Sequence, residues 1–191
     1  MNRKSIITLP HTSLRDSSKK VDPLDPLAHK LAQDMMQATL DWEDHREHEV
    51  GVALAAVQVD QKQRIVVVRN DPNNKLDRNF TIYFNPEITR VEGEPIDDLE
   101  GCLSVVDIYG MVPRYPRIKV KAQDSNGRTV KLVVKGFQAR LFQHEIDHTN
   151  GITFCDRIGH NGIFFHLGAE GKMTKLSDKE KKDVVSRYEI S

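Results

Sequence analysis

The chain has 191 residues and carries 28 Lys plus Arg against 28 Asp plus Glu, so its formal charge is zero with histidine neutral. That length suits a single domain, residues 1–191, with a core of its own. The charge balance gives no global field for wrapping nucleic acid, and sequence-specific binding to it is not expected. Two cysteines, Cys102 and Cys155, argue against a disulfide scaffold and fit a reducing cytoplasm, and no run reaches signal-peptide or membrane-span length.

In chain order, Asp25-Pro26 reads as the cap and first residue of a helix. Ala28, Leu31, Ala32, Met35 and Thr39 then repeat at helical spacing, and the helix is expected to end near Trp42. The charged stretch Glu43 to Glu49 follows. Its His45 and His48 stand three apart with no apolar stripe, which describes a solvated loop or helix end rather than a metal site. Ile65 to Val68 is a continuous β-branched run and predicts a buried strand. Asp71 to Asn74 is a turn; Phe80 to Phe84 and Glu87 to Val91 read as two strands broken at Asn85-Pro86. Ile118 to Ala122 and Thr129 to Val134 flank Asp124-Ser125-Asn126-Gly127, a hairpin signal. Beyond Ile158 the chain reads as a mostly polar tail, 159–191, apart from Ile163-Phe164-Phe165, and Ser177 to Glu180 forms a capping box for a last short helix to about Tyr188. The class these elements predict is α+β: short, mostly antiparallel strands packed around a central helix that carries the motif below, with an N-terminal helix.

That motif is Gln143-His144-Glu145-Ile146-Asp147-His148, an HExxH sequence. On a helix, residues four apart share a face with Cβ atoms about 5–6 Å apart, so His144 and His148 can grip one metal ion. Glu145 projects beside that face, where it can handle a proton of an activated water. Ala139, Leu141, Phe142, Ile146 and Phe137 supply the helix with an apolar face. A Lewis acid, a water and a carboxylate base together are hydrolytic machinery.

A third ligand of suitable kind lies in Glu100-Gly101-Cys102-Leu103-Ser104. A thiolate and two imidazoles leave one position open, as catalytic metals require. The ordinary reading of a lone cysteine is a small buried hydrophobe, and it applies to Cys155 within Ile152 to Cys155. At Cys102 the preceding Gly101 favours a ligand, because glycine lets backbone approach a site. Gly51-Val52-Ala53-Leu54-Ala55-Ala56-Val57-Gln58 is the third constellation. Its small residues allow close approach to a peptide backbone, and the Gln58 amide can stabilise an oxyanion. By itself this stretch is equally an ordinary buried turn with a satisfied glutamine.

Taken in this order, the three segments resemble peptide deformylase. EGCLS and QHEIDH are both present in full, and Gly51 to Gln58 is similar to the family's first motif. Ile6 to Pro10 with Leu14-Arg15, and Val112-Pro113-Arg114, carry the resemblance further, over roughly residues 4–158. It implies that Cys102, His144 and His148 bind one divalent metal, Fe(II) natively with Zn, Ni or Co as substitutes. It implies that Glu145 is the general base and then the acid, and that Gln58 and the Leu103 backbone N–H hold the oxyanion. Gly51, Val52, Ala53 and Gly101 would line the substrate. The reaction implied is removal of the N-formyl group from the formylmethionine of nascent polypeptides, releasing formate. A transient meeting with the ribosome through the Lys172 to Lys182 stretch is a secondary expectation beside that of a solvated face. The sequence departs from the family at Ala53, where a glycine is usual and where a methyl would crowd the substrate, and at Val57. These departures support an alternative: a deformylase-like metal or peptide binder with weak activity. An ordinary HExxH endopeptidase takes its third ligand downstream, and no suitable residue follows here.

Overall fold

The computed structural model describes residues 1–188. Helix α1 spans Pro26–Glu43, and Asp25 caps it by accepting the Leu27 N–H at 2.9 Å with Pro26 at the first helical position. Its buried side includes Ala28, Leu31, Ala32, Met35 and Thr39, the stripe that the sequence spacing predicts, joined by Ala38. Five antiparallel strands follow as one sheet: β1 (Ala53–Ala55), β2 (Ile65–Arg69), β3 (Phe80–Glu92), and then β6 (Arg117–Gln123) and β7 (Thr129–Lys135), in the order β1-β2-β3-β6-β7. Between β3 and β6 the chain leaves to build β4 (Ile96–Cys102) and β5 (Val105–Arg114) of a second antiparallel sheet. Helix α2 (Gly136–Thr149) carries the HExxH motif, and α3 (Phe154–Ile158), β8 (Phe164–Leu167), β9 (Met173–Lys175) and α4 (Asp178–Arg187) complete the described chain.

The five-stranded sheet is covered on both faces. Leu54, Ile65, Val67 and Phe84 pack with Ala28, Leu31, Ala32 and Met35 of α1 on one side. Ala53, Ala55, Val66, Val68, Ile118 and Val120 pack with Phe142 and Ile146 of α2 on the other. Two covered faces explain why β2 is buried throughout, as its unbroken β-branched run predicts. A third cluster lies within the second sheet and beside it: Val105, Ile108, Val112, Phe154, Cys155, Phe164 and Val184.

Three expectations change. The two strands predicted on either side of Asn85-Pro86 are one strand, β3. A register shift between Phe84 and Glu87 absorbs Pro86, which cannot donate to a ladder, and Asn85 takes φ +51° while its side chain bonds Val21 through both N–H and C=O. The strands β1, β4 and β5, which frame the site, have no period-2 signal strong enough to predict them. The stretch after Ile158 is more than a polar tail: β8 pairs with β5 through Ile108↔His166, Tyr109↔Phe165 and Gly110↔Phe164, and Val184 and Tyr188 are buried. The capping box is present, with Ser177 and Glu180 bonding each other's backbone N–H ahead of α4. Among the described residues no helix is long and apolar enough to cross a membrane.

Phe164 is 1% exposed in the third cluster. Phe164→Ala is therefore expected to lower the unfolding free energy by about 3–5 kcal/mol in urea titrations. A cost below about 0.5 kcal/mol, the level of a surface change, would show that β8 is not part of the core.

Candidate active site

Two chain segments meet at the site. β4 ends at Cys102, and Leu103-Ser104 make the two-residue turn into β5, with Cys102 opposite Val105. The turn places Cys102 against α2, on which every residue from Ala139 to Thr149 is buried. Cys102 Sγ lies 3.2 Å from His148 Nε2, and one ligand atom from each of Cys102, His144 and His148 falls within 4.8 Å of the others. Ligands around one tetrahedral ion stand roughly 3.3–3.8 Å apart, given bonds of about 2.0–2.3 Å, so this donor set fits a single divalent cation with an open position. Among the described residues no other group of three ligating side chains is so close; His45 and His48 belong to none.

Glu100 governs the electrostatics. Its carboxylate accepts from Arg114 Nε and Nη2 at 2.9 and 3.1 Å, from Arg140 Nη1 at 2.7 Å and from His144 Nδ1 at 2.9 Å. Burial alone would raise this acid, but the bonds and charges of His144 and Arg114 outweigh it and hold the carboxyl at about 2. An ionised Glu100 on Nδ1 leaves Nε2 of His144 as the nitrogen turned to the cation. Burial disfavours the charged form of His144 too, yet hydrogen bonds to Cys102 and Glu100 raise it well above the ordinary imidazole value: this point in the structure attracts positive charge. Burial and the charges of His144 and Arg114 keep His148 well below that value, in the neutral form that ligates. Glu145 is buried, its Oε2 meets no protein donor, and burial pushes its carboxyl up to about 7.

Gln58 is 1% exposed in a short 3-10 turn after β1. Its Oε1 accepts the Ala55 N–H at 2.9 Å, which turns its amide N–H groups towards Ser104 Oγ at 3.1 Å and Cys102 Sγ at 3.5 Å. A cavity of about 290 Å³ opens here, bounded by Val52, Ala53, Gln58, Leu99, Gly101, Leu103, His144 and Glu145. It lies between two sheet edges, because β1 ends one sheet and β4 ends the other.

Two of the expected substrate contacts are held by packing. Gly51 does not line the cavity. A Cβ there would stand 2.6 Å from Thr39 Cγ2, so the glycine serves the close approach of α1. Ala53 lines the cavity but packs in the α2 cluster at 3% exposure, so the core absorbs much of the methyl that was expected to crowd a substrate. Gly101 borders the cavity and lies against Tyr109, whose ring would be 2.4 Å from an added Cβ.

Sequence reasoning missed the supporting charges: Arg114, Arg140, and Asp147, which bonds Arg114 and Arg157. The signal existed. Arg140 and His144 are four apart and share a helix face, and a charge on a face that buries two ligands requires a partner. Trp42, His48, Glu49 and Tyr109, which also line the cavity, carried no such signal, because tertiary approach alone brings them there. The loop from His45 to Glu49 is also less solvated than expected: Arg46 pairs with Glu49 and Asp107, and Tyr109 donates to Glu49 at 2.5 Å.

A helix-borne HExxH, a cysteine at the end of a neighbouring strand and a buried carboxyl beside them fit a metal-dependent hydrolase. The family model described as polypeptide deformylase matches residues 3–162. A peptide deformylase of Rhodopirellula baltica is 38% identical over 160 residues, 83% of this chain and 75% of that protein. One from Chromobacterium violaceum is 34% identical over 180 residues, 94% of this chain and 98% of that one. The crystal structure of a Plasmodium falciparum peptide deformylase superimposes with TM-score 0.75 at 27% identity, covering 96% of this chain and 94% of that one. The chain belongs to the polypeptide deformylase family, metal-dependent hydrolases that remove the N-formyl group from nascent peptides.

Metal content is expected to follow the three ligands. Replacing Cys102, His144 or His148 by Ala should bring bound metal well below one ion per chain by elemental analysis. Cys155→Ala, in the buried apolar cluster, should leave it unchanged; full metal in Cys102→Ala would remove the thiolate from the site.

Proposed function

We propose that this chain deformylates nascent polypeptides with its own residues in the following roles. Cys102, His144 and His148 hold one divalent ion, Fe(II) natively with Zn, Ni or Co able to replace it, since thiolate and imidazole donors suit all four. Once bound, that ion supplies Lewis acidity to the attacking water and the formyl carbonyl. Glu145 accepts the water's proton and delivers it to the leaving amine as the C–N bond breaks. The formyl carbon departs as formate, and the free amino terminus remains on the peptide. The Gln58 amide and the Leu103 N–H receive the charge that grows on the formyl oxygen. The single observation that carries this reading is the convergence of Gln58, Cys102, His144 and Glu145 on one cavity.

The peptide backbone is placed along the free edge of β1 at Val52 and Ala53, opposite Gly101 of β4. An exposed edge offers unpaired N–H and C=O groups to an extended chain. The wider reading takes residues 1–191 as one catalytic unit centred on α2, working in the cytoplasm. Both cysteines are free, as a thiolate ligand needs. Brief contact with the ribosome would fit a nascent substrate and the exposed Lys172, Lys175, Lys179 and Lys182. The alternative of a weakly active binder drew on Ala53, and the packing of its methyl in the core leaves it less support.

Formate release from formyl-Met-Ala-Ser by anaerobically purified, iron-loaded protein tests the reading. Glu145→Gln is expected to keep metal and to lose about 10²–10⁴-fold in rate. Gln58→Ala is expected to lower kcat by about 10²–10³-fold with little change in KM, because the charge it meets exists only in the transition state. A pure KM effect at Gln58 would make it a substrate-positioning residue instead.

A further inference from the structure

An ion pair that the reaction does not use lies behind the β1 wall. Glu43 ends α1 and Arg69 ends β2, and their side chains are 1% and 0% exposed. Arg69 Nη2 donates to Glu43 Oε2, and its guanidinium carbon sits 5.5 Å from the Phe80 ring centre. Between them the two residues hold both polar groups of one peptide position. The Gly51 N–H donates to Glu43 Oε2 at 3.0 Å, and the Gly51 carbonyl accepts from Arg69 Nε at 3.1 Å. The backbone N–H of Arg69 continues the hold by donating to the Val52 carbonyl at 2.8 Å.

Stability is a poor reason for this arrangement. A fully buried ion pair seldom repays its desolvation, and an apolar replacement of similar volume is often as stable. Here Glu43 Oε1 meets no protein donor, which raises that cost further. What the pair supplies is direction. Glu43 and Gly51 bracket the loop that brings His48, Glu49 and Val50 to the cavity, and Val52 and Ala53 follow at once. Thr39 Cγ2 closes the remaining side of Gly51. The backbone that enters the substrate-facing edge is thus fixed at Gly51 by two charges and one steric contact.

We propose that Glu43 and Arg69 are positioning residues for substrate: through Gly51 they set the line of the Val52-Ala53 edge along which the formylated peptide binds. The proposal rests on the placement of the peptide along β1 given above. The pair touches neither substrate nor any metal-ligating residue, so its effect belongs in KM and not in the chemical step.

Kinetics on formyl-Met-Ala-Ser with metal-replete protein test it, with metal content and thermal midpoint measured on the same samples. Arg69→Lys keeps the charge but loses the fork that reaches the Gly51 carbonyl. The double variant Glu43→Leu/Arg69→Met removes the charges and keeps an apolar filling. Both are expected to raise KM about tenfold, the equivalent of one lost hydrogen bond, with kcat per bound metal and metal content close to those of the unsubstituted enzyme. The double variant should do so without a fall in thermal midpoint, which separates positioning from support of the fold. Val52→Phe, at the cavity wall itself, reports on the placement of the peptide. If it leaves KM unchanged, the peptide does not run along β1 and both readings fall. If Val52→Phe raises KM while Arg69→Lys and the double variant keep the original value, the placement stands and the role of Glu43 and Arg69 is overturned. A loss confined to kcat or to metal content in those variants would overturn it equally.

Discussion

The carboxylate of Glu100 ties the two halves of this protein together. It stands on β4, one residue before Gly101 and two before Cys102, and it receives His144 and Arg140 from α2 and Arg114 from β5. Through it the strand that carries one metal ligand is fixed to the helix that carries the other two. Asp147, three residues beyond His144, accepts from the same Arg114 and extends the network to Arg157 of α3. Taking one partner from such a buried set leaves a stranded charge, a loss of about 3–5 kcal/mol. The site's geometry is therefore coupled to the stability of the fold.

This network also explains how α2 can be a core helix and a polar one. Arg140, Gln143, His144, Glu145, Asp147 and His148 are all buried in it. Each would be costly alone. Gln143 bonds the Tyr115 backbone through both ends of its amide, Arg140 caps carbonyls of Ile96 and Val112, and Asp147 faces the Arg114 and Arg157 guanidinium groups. Glu145 is left with an oxygen that no protein donor reaches. An acid held in that state, next to two imidazoles and a thiol, has the perturbed surroundings that mark candidate functional groups.

The cavity follows from topology. Two antiparallel sheets end at β1 and β4, and α2 lies across the gap between those edges. A sheet edge is usually protected, because its open hydrogen-bonding groups invite another strand. Here Arg140 covers the Ile96 carbonyl of β4, while the edge at Val52 and Ala53 borders the cavity. The apolar Leu99, Phe137 and Leu141 line the same cavity.

The sequence by itself determined the chemistry and the local elements. HExxH spacing defines one helix face whatever surrounds it, Asp25-Pro26 and Ser177 to Glu180 cap helices through bonds within a few residues, and the run at Ile65 is a strand by its own sterics. Resemblance to peptide deformylase motifs at Gly51, Glu100 and Gln143 named the candidate residues of the site. The tertiary structure decided what depends on distant partners. Pro86 stays inside β3 only because a bulge and the Asn85–Val21 bonds remove the need for its missing N–H. Within the described residues after Ile158, the apolar Ile163-Phe164-Phe165 marks where β8 forms, but the edge and the apolar cluster that receive it belong to β5 and its neighbours and are not visible from the tail itself. The surroundings of Gly51 were hidden for the same reason: what a glycine makes room for is set by Thr39, Glu43 and Arg69, which local pattern cannot place beside it.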